Sequence, residues 1–219
     1  MSDRASPLLR EWYPIILALL GAGISFAVFS RLPARMATHW DLQGNANGWM
    51  PRSVGAILLP VILLVMWALM STMSRIDPRR ANDEKFAGAY EMSVAAILCM
   101  LFAGHLIVLG IALGYHVPVA HILPALIGTA FVVIGYVMPR TRSNFVFGIR
   151  TPWTLSSERV WTRTHRLAGR LMALAGFVMI VAGFLLPTGV VITVVIVAIL
   201  ASLMVPAAYS YFAWKHETR

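Results

Sequence analysis

The segment Pro139–Arg166, PRTRSNFVFGIRTPWTLSSERVWTRTHR, is the longest polar interruption in a chain that otherwise reads as helix embedded in lipid. It contains six of the eighteen lysines and arginines, two tryptophans and three consecutive turn or helix-start signals. Apolar runs flank it, Val119–Met138 before and Leu167–Leu186 after. Each is long enough to cross about 30 Å of hydrocarbon at a rise of about 1.5 Å per residue. Four more runs follow the same rule: Tyr13–Ser30, Val54–Met73, Tyr90–Leu113 and Val190–Trp214. The expected fold is an all-α integral membrane protein built as a six-helix transmembrane bundle. Residues 1–75 would form a helix pair around an outward loop, 31–52, and residues 76–219 a four-helix region around the 139–166 loop.

Composition supports the same class. Hydrophobic residues make up 59% of the 219 residues and charged residues 12%, against about 25% charged in a soluble domain. A water-soluble core of this size cannot hide that much apolar surface. A net charge of +9 would suggest nucleic acid as the partner of a soluble protein. Here the positive residues cluster between apolar runs, which points to the lipid bilayer and to orientation, with no direct nucleic-acid contact. The single cysteine, Cys99, excludes an intrachain disulfide and reads as a small buried hydrophobe. Arg4 and Arg10 precede the first run and Ser25-Phe26-Ala27 offers signal-peptidase spacing. The run leads straight towards a second span, so it reads as an uncleaved first helix.

Lysine and arginine counts set the expected orientation. Fifteen of them fall on the side of the termini and the 139–166 loop, and only Arg31, Arg35 and Arg52 on the other. The positive-inside rule then places both termini and the long loop in the cytoplasm. Gly114–Pro118 and Pro187–Gly189 make tight turns, so the spans they join are antiparallel neighbours. In the fifth span Gly169, Gly176 and Gly183 recur every seven residues, and Gly128 and Gly135 repeat the spacing in the fourth. Small residues so placed let backbones approach closely, which reads as packing within one bundle, with a dimer interface as the alternative. On that reading Gly176→Leu should disrupt the bundle, and Gly176→Ala should do much less.

The outward loop has its own chemistry. Gly44 and Asn47-Gly48 permit positive backbone angles and predict a compact, turn-rich loop. Trp40 and Trp49 suit the headgroup layer. His39 and Asp41 are two apart, which on an extended segment puts both on one face. The loop reads as an interfacial structure knitted by side-chain hydrogen bonds. A receptor surface or a metal site is the sharper alternative, because His116 and His121 flank the other outward turn. Within the bilayer the ionisable groups singled out are Glu91, near the cytoplasmic start of the third span, and His105, near its middle. A midplane histidine is a candidate proton carrier or ligand contact; without a carboxylate at its depth it reads as a neutral ring hydrogen-bonded across the bundle.

In the 139–166 loop, Asn144–Ile149 reads as an apolar, interfacial or re-entrant segment broken by Gly148. Thr151-Pro152 forces an extended or turn conformation. Thr154, Ser156 and Ser157 are helix N-cap candidates, with Glu158 favouring the first turn. A helix is then expected to run straight into the fifth span, with Arg159, Arg163, Arg166 and Arg170 as one basic stripe and Trp161 and His165 as a neighbouring one. The stripe suits anionic lipid or an acidic cytoplasmic partner.

The run Asn144–Trp161 with Thr164, His165, Arg166 and Gly169 resembles the signature of the SdpI family of bacterial multi-pass membrane proteins. Leu32-Pro33, His39-Trp40-Asp41, Gly44 and Gly48-Trp49 are similar to the domain of unknown function that precedes it in many members. The resemblance implies an immunity and signal-transduction protein of the bacterial inner membrane, with a secreted peptide toxin and a cytoplasmic transcriptional repressor as partners. It also implies the contact residues. His39, Trp40, Asp41, Gly44, Asn47 and Trp49 would face the toxin. Asn144, Gly148, Arg150, Thr151, Pro152, Trp153, Thr154, Trp161, His165 and Arg166 would form the docking loop. No cofactor is implied. A small-molecule or ion transporter and a purely structural membrane protein are the alternatives. An intramembrane enzyme comes last, since the chain shows no HExxH, no GxSxG and no close carboxylate pair.

Overall fold

The computed structural model describes residues 7–79 and 83–217. Helix α1 (Pro7–Val28) ends in a single 3-10 turn and leads into strand β1 (Arg35–Trp40). Strand β2 (Ala46–Pro51) returns antiparallel, and the short α2 (Arg52–Gly55) turns the chain into α3 (Leu58–Ile76). Helices α4 (Asp83–Ala112), α5 (Val119–Val137), α6 (Pro152–Ser156), α7 (Glu158–Leu185) and α8 (Thr188–Glu217) complete the chain. Among the described residues six helices are long and apolar enough to cross a membrane. The protein is a multi-pass helical membrane protein, and the six expected runs correspond to α1, α2–α3, α4, α5, α7 and α8.

Helices α1, α3 and α4 pack around Ala18, Leu63, Val94 and Leu98. Helix α4 also touches α5, which lies along α7 in the most extensive helix contact of the fold, and α7 in turn packs on α8. Glycine explains the α5–α7 contact. A Cβ on Gly135 would lie 2.7 Å from the Gly169 carbonyl oxygen, and one on Gly169 would lie 2.6 Å from that of Gly135. Where lipid replaces water as solvent, such backbone approach supplies the dispersion contact that holds helices together. The small-residue faces are therefore satisfied within one chain. The large apolar side chains that stay exposed, such as Phe26, Leu174, Phe177 and Phe184, lie on the outer faces of the spanning helices. Cys99, expected to be buried, is exposed on α4.

The 31–52 segment, expected as a compact, turn-rich loop, is built around a β-hairpin. Met36 is fully buried with Leu32, Ala56, Val108 and Leu109, which docks β1 on α4. The turn is built by Asp41, whose Oδ1 accepts from the backbone N–H groups of Gln43 (2.9 Å) and Asn45 (2.8 Å), while Gly44 takes the positive φ of 85°. Gly48 takes no positive φ. It sits in β2 opposite His39, where a Cβ would come within 2.9 Å of the His39 Cβ.

Candidate functional site

Two regions at opposite ends of the bundle hold the polar chemistry. In the first, the segment between α5 and α6, Asn144 is fully buried and organises its neighbours. Its Oδ1 accepts from the N–H groups of Val146 (2.8 Å) and Phe147 (2.6 Å), and its Nδ2 donates to the Arg142 carbonyl (2.8 Å). The segment is thus a folded loop: the asparagine amide takes backbone groups that a helix would have paired. Gly148, at φ 109°, lets the chain pass over His165, whose ring a side chain there would strike. Ile149 N–H donates to His165 Nε2 at 3.0 Å, and His165 Nδ1–H donates to the Trp161 carbonyl at 2.9 Å. A carbonyl can only accept, so the ring is the neutral Nδ1–H tautomer with both nitrogens satisfied. Trp161 stacks on it at 3.9 Å and donates from Nε1 to Thr141 Oγ1 at 3.3 Å.

Thr151, read from sequence only as part of a turn, is the N-cap of α6. It forms a capping box with Thr154, and Pro152 takes the first helical position. Ser157 caps α7 as expected and also donates to Glu217 Oε2 at 2.5 Å, while Thr151 Oγ1 meets Ser210 Oγ at 2.9 Å. Trp153 packs edge-on against Tyr211 at 5.1 Å. The end of α8 therefore closes over α6 and the start of α7. Arg159, Arg163, Arg166 and Arg170 are all exposed along α7, so the basic stripe is a surface. Asn144, Thr154, Trp161 and His165 are not: each is fully buried and acts as framework beneath that surface.

Sequence reasoning missed Asp77 and Arg79 in the α3–α4 connection. Asp77, only 5% exposed, accepts from Phe145 N–H at 2.8 Å through Oδ2 and from Arg79 N–H at 2.8 Å through Oδ1. The Arg79 guanidinium donates to Ser143 Oγ and to the Leu155 carbonyl (2.8 Å), and lies 5.0 Å over the Phe145 ring. The signal was a lone carboxylate before proline in a basic stretch, Arg75-Ile-Asp-Pro-Arg-Arg80, whose partners lie more than sixty residues away. Exposed Arg150 donates to the Phe145 carbonyl and so also serves the loop.

At the opposite end His39 and Asp41 part company. His39 Nδ1 pairs with Asn47 Oδ1 at 2.5 Å, whereas Asp41 lies beyond β1 and serves the turn. Hydrogen bonds hold the Asp41 carboxyl below its usual range, that from the Asn45 backbone first, against a smaller opposing effect of desolvation. His121 is drawn to the Gly183 carbonyl (2.9 Å) and to Thr188 Oγ1 (3.3 Å). Among the described residues no three histidine, cysteine or acidic side chains converge to hold a metal ion. Beneath the hairpin a cavity of about 490 Å³ opens between α4, α5 and α8, lined by Thr38–Leu42 above and by residues such as Leu123, Pro124 and Ile196 below. His105 lies elsewhere, on the α1 side. Its Nε2–H is shared between the Gly21 carbonyl (3.1 Å) and Ser25 Oγ (3.0 Å), and Ser25 donates onward to the Ala56 carbonyl (2.6 Å). Its Nδ1 has no partner among the described residues. Glu91 is half-buried on α4.

The loop, the basic stripe and most of α8 coincide with a known family: residues 140–210 match the SdpI/YfhL protein family, and residues 16–64, which carry the hairpin, match a domain of unknown function, DUF1648. The chain is also 27% identical over 203 residues to "Immunity protein SdpI" of Bacillus subtilis (strain 168), which covers 92% of this chain and 94% of that protein. Residues 140–210 thus carry an SdpI/YfhL family segment. No solved structure matches the chain.

The SdpI/YfhL segment begins at Arg140, the last residue of the 3-10 turn that follows α5, and takes in the loop, the caps and α7. Asp77 and Arg79 lie outside both matched segments yet fasten the SdpI/YfhL loop from beneath.

Proposed function

We propose that this chain is an immunity and signal-transduction protein of the bacterial inner membrane. It senses or neutralises a membrane-active peptide toxin at the hairpin end and recruits a cytoplasmic transcriptional repressor at the loop end. The near full-length similarity to an immunity protein is the observation that carries this reading. The fifteen-to-three distribution of lysine and arginine supports the orientation it needs, with both termini and the 139–166 loop in the cytoplasm. The layout supports a division of labour. Residues 1–75 bear the exposed hairpin, and residues 76–219 bear a rigid loop beneath the exposed stripe Arg159, Arg163, Arg166 and Arg170. Guanidinium groups aligned on one helix face suit an acidic protein surface. Nothing in the arrangement calls for an enzyme.

The test is complementation. The chain is expressed in a bacterium stripped of its own SdpI-type immunity protein and exposed to the secreted peptide which that protein resists. Restored survival is the expected result. Unprotected cells, despite normal membrane insertion of the chain, would overturn the reading.

A further inference from the structure

We infer that the cavity beneath the hairpin is a binding site for a single-chain amphiphile with a protonated amine head, the chain lying among α4, α5 and α8 and the head under the hairpin. The inference does not rest on the immunity reading or on the orientation of the chain.

The cavity, about 490 Å³, falls in the size range of small-ligand sites, roughly 300–1,000 Å³. Its walls are aliphatic: Ile107 and Val108 from α4, Leu123 and Ile127 from α5, and Val195 and Ile196 from α8. That volume and those walls suit one alkyl chain, whereas a helix with side chains needs a channel about 10–12 Å across. The polar groups are confined to the roof, where Thr38, His39, Trp40 and Asp41 line the space.

Charge decides the head group. Among the described residues Asp41 is the only aspartate or glutamate lining the cavity, and no lysine or arginine lines it. The Asp41 carboxylate is fixed in place by Gln43 and Asn45, so it is an oriented anion rather than a mobile one. Trp40 adds an indole, the ring type whose face attracts cations most strongly. Pro124, buried within α5, has no N–H to give to the Ala120 carbonyl one turn earlier, and Ala120 also lines the cavity. A carboxylate, an indole and a carbonyl released from its helix partner all favour a cationic donor and disfavour an anion. The roof is also held in register, since a Cβ on Gly44 would lie 3.0 Å from Ala120 Cβ, which seats the turn on the start of α5.

The probe is dodecylammonium carrying a terminal diazirine, photolysed with the purified full-length protein in detergent micelles and mapped by mass spectrometry. Labelling should be saturable, should fall on the α4, α5 and α8 residues of the cavity, and should be competed by dodecylammonium but not by dodecyl sulfate or dodecanol. Asp41→Asn keeps the turn-building Oδ1 and removes the charge; it should weaken labelling on the order of fivefold, as expected for a partly screened charge pair. Leu123→Trp, which fills the cavity from an exposed position, should abolish it. Ile196→Trp serves as a second filling variant, and thermal unfolding of each variant shows whether the fold is intact. Equal competition by the sulfate, or labelling that survives both tryptophan variants in a folded protein, would overturn the inference.

Discussion

Gly128 and Gly176 face each other across the α5–α7 contact: a Cβ on Gly128 would lie 2.5 Å from the Gly176 carbonyl oxygen, and one on Gly176 would strike the Gly128 carbonyl oxygen in return. The obstacle is backbone on both sides, which cannot rotate out of the way as a side chain can. The expectation that Gly176→Ala does much less than Gly176→Leu is therefore revised. Even one methyl group must push the helices apart, at a cost on the order of 1–3 kcal/mol. We expect Gly176→Ala to lower the melting temperature in detergent almost as clearly as Gly176→Leu. Gly110→Ala is the control, because among the described residues nothing lies within 4 Å of that position, and it should be neutral or stabilising. Unchanged melting of Gly176→Ala would mean that the two helices are not in backbone contact.

Asp77 should be the residue on which the order of the loop depends most. Asp77→Ala leaves the N–H groups of Phe145 and Arg79 without their acceptor, and an unsatisfied buried donor costs about 1–3 kcal/mol. Trypsin should then cut faster after Arg142 and Arg150, with the transmembrane core unchanged by circular dichroism. Cleavage at the wild-type rate would show that Arg79 and Asn144 hold the loop without it.

Arg150 and Arg163 separate a folded contact from a charge count. Arg150 donates to the Phe145 carbonyl within the loop, whereas Arg163 stands exposed on the stripe. Lysine keeps the charge of either but not the planar fork. In the complementation assay Arg150→Lys should lose function with insertion intact, and Arg163→Lys should keep it. Wild-type behaviour of both would reduce the loop to an electrostatic anchor.

Orientation is open to cysteine labelling in a Cys99→Ala background. A cysteine at exposed Asn45 should react with an impermeant thiol reagent in intact cells, and one at exposed Ser156 only after lysis. Ser143 is unsuitable as the inner probe, being 3% exposed and bonded to Arg79. The opposite labelling pattern would invert both assignments of function to face.

Asp41 makes the hairpin turn sensitive to acid. Its folded carboxyl titrates below the ordinary value of 3.8, so its contribution to turn stability is complete above that pH and is lost as the pH falls through the lower folded value. Amide protection at Gln43 and Asn45 should stay flat down to about pH 4 and fall below it. Asp41→Asn should remove this dependence. Persistence of the acid step in that variant would assign it to another group.

The hydrophobic runs, the turns at Gly114–Pro118 and Pro187–Gly189, the small-residue spacing and the exposed arginine stripe were all legible in the chain, because each depends on neighbours within a few turns of one helix. Periodicity and length are local properties, and the bilayer turns them into spans with little help from tertiary contact. Three features were decided only by the fold. The β-hairpin formed because Met36 found a pocket made by Ala56, Val108 and Leu109, and that burial lies outside the 31–52 segment itself. Asp77 and Arg79 became supports of the 139–166 loop because the connection between α3 and α4 lies beside it, a distance in sequence that no local pattern encodes. Trp161 and His165 look like a surface stripe next to the arginines, yet a ring stack and a hydrogen bond from Ile149 turn them inwards. An amphipathic pattern shows that a helix has two faces; which face is covered depends on what the rest of the chain lays against it.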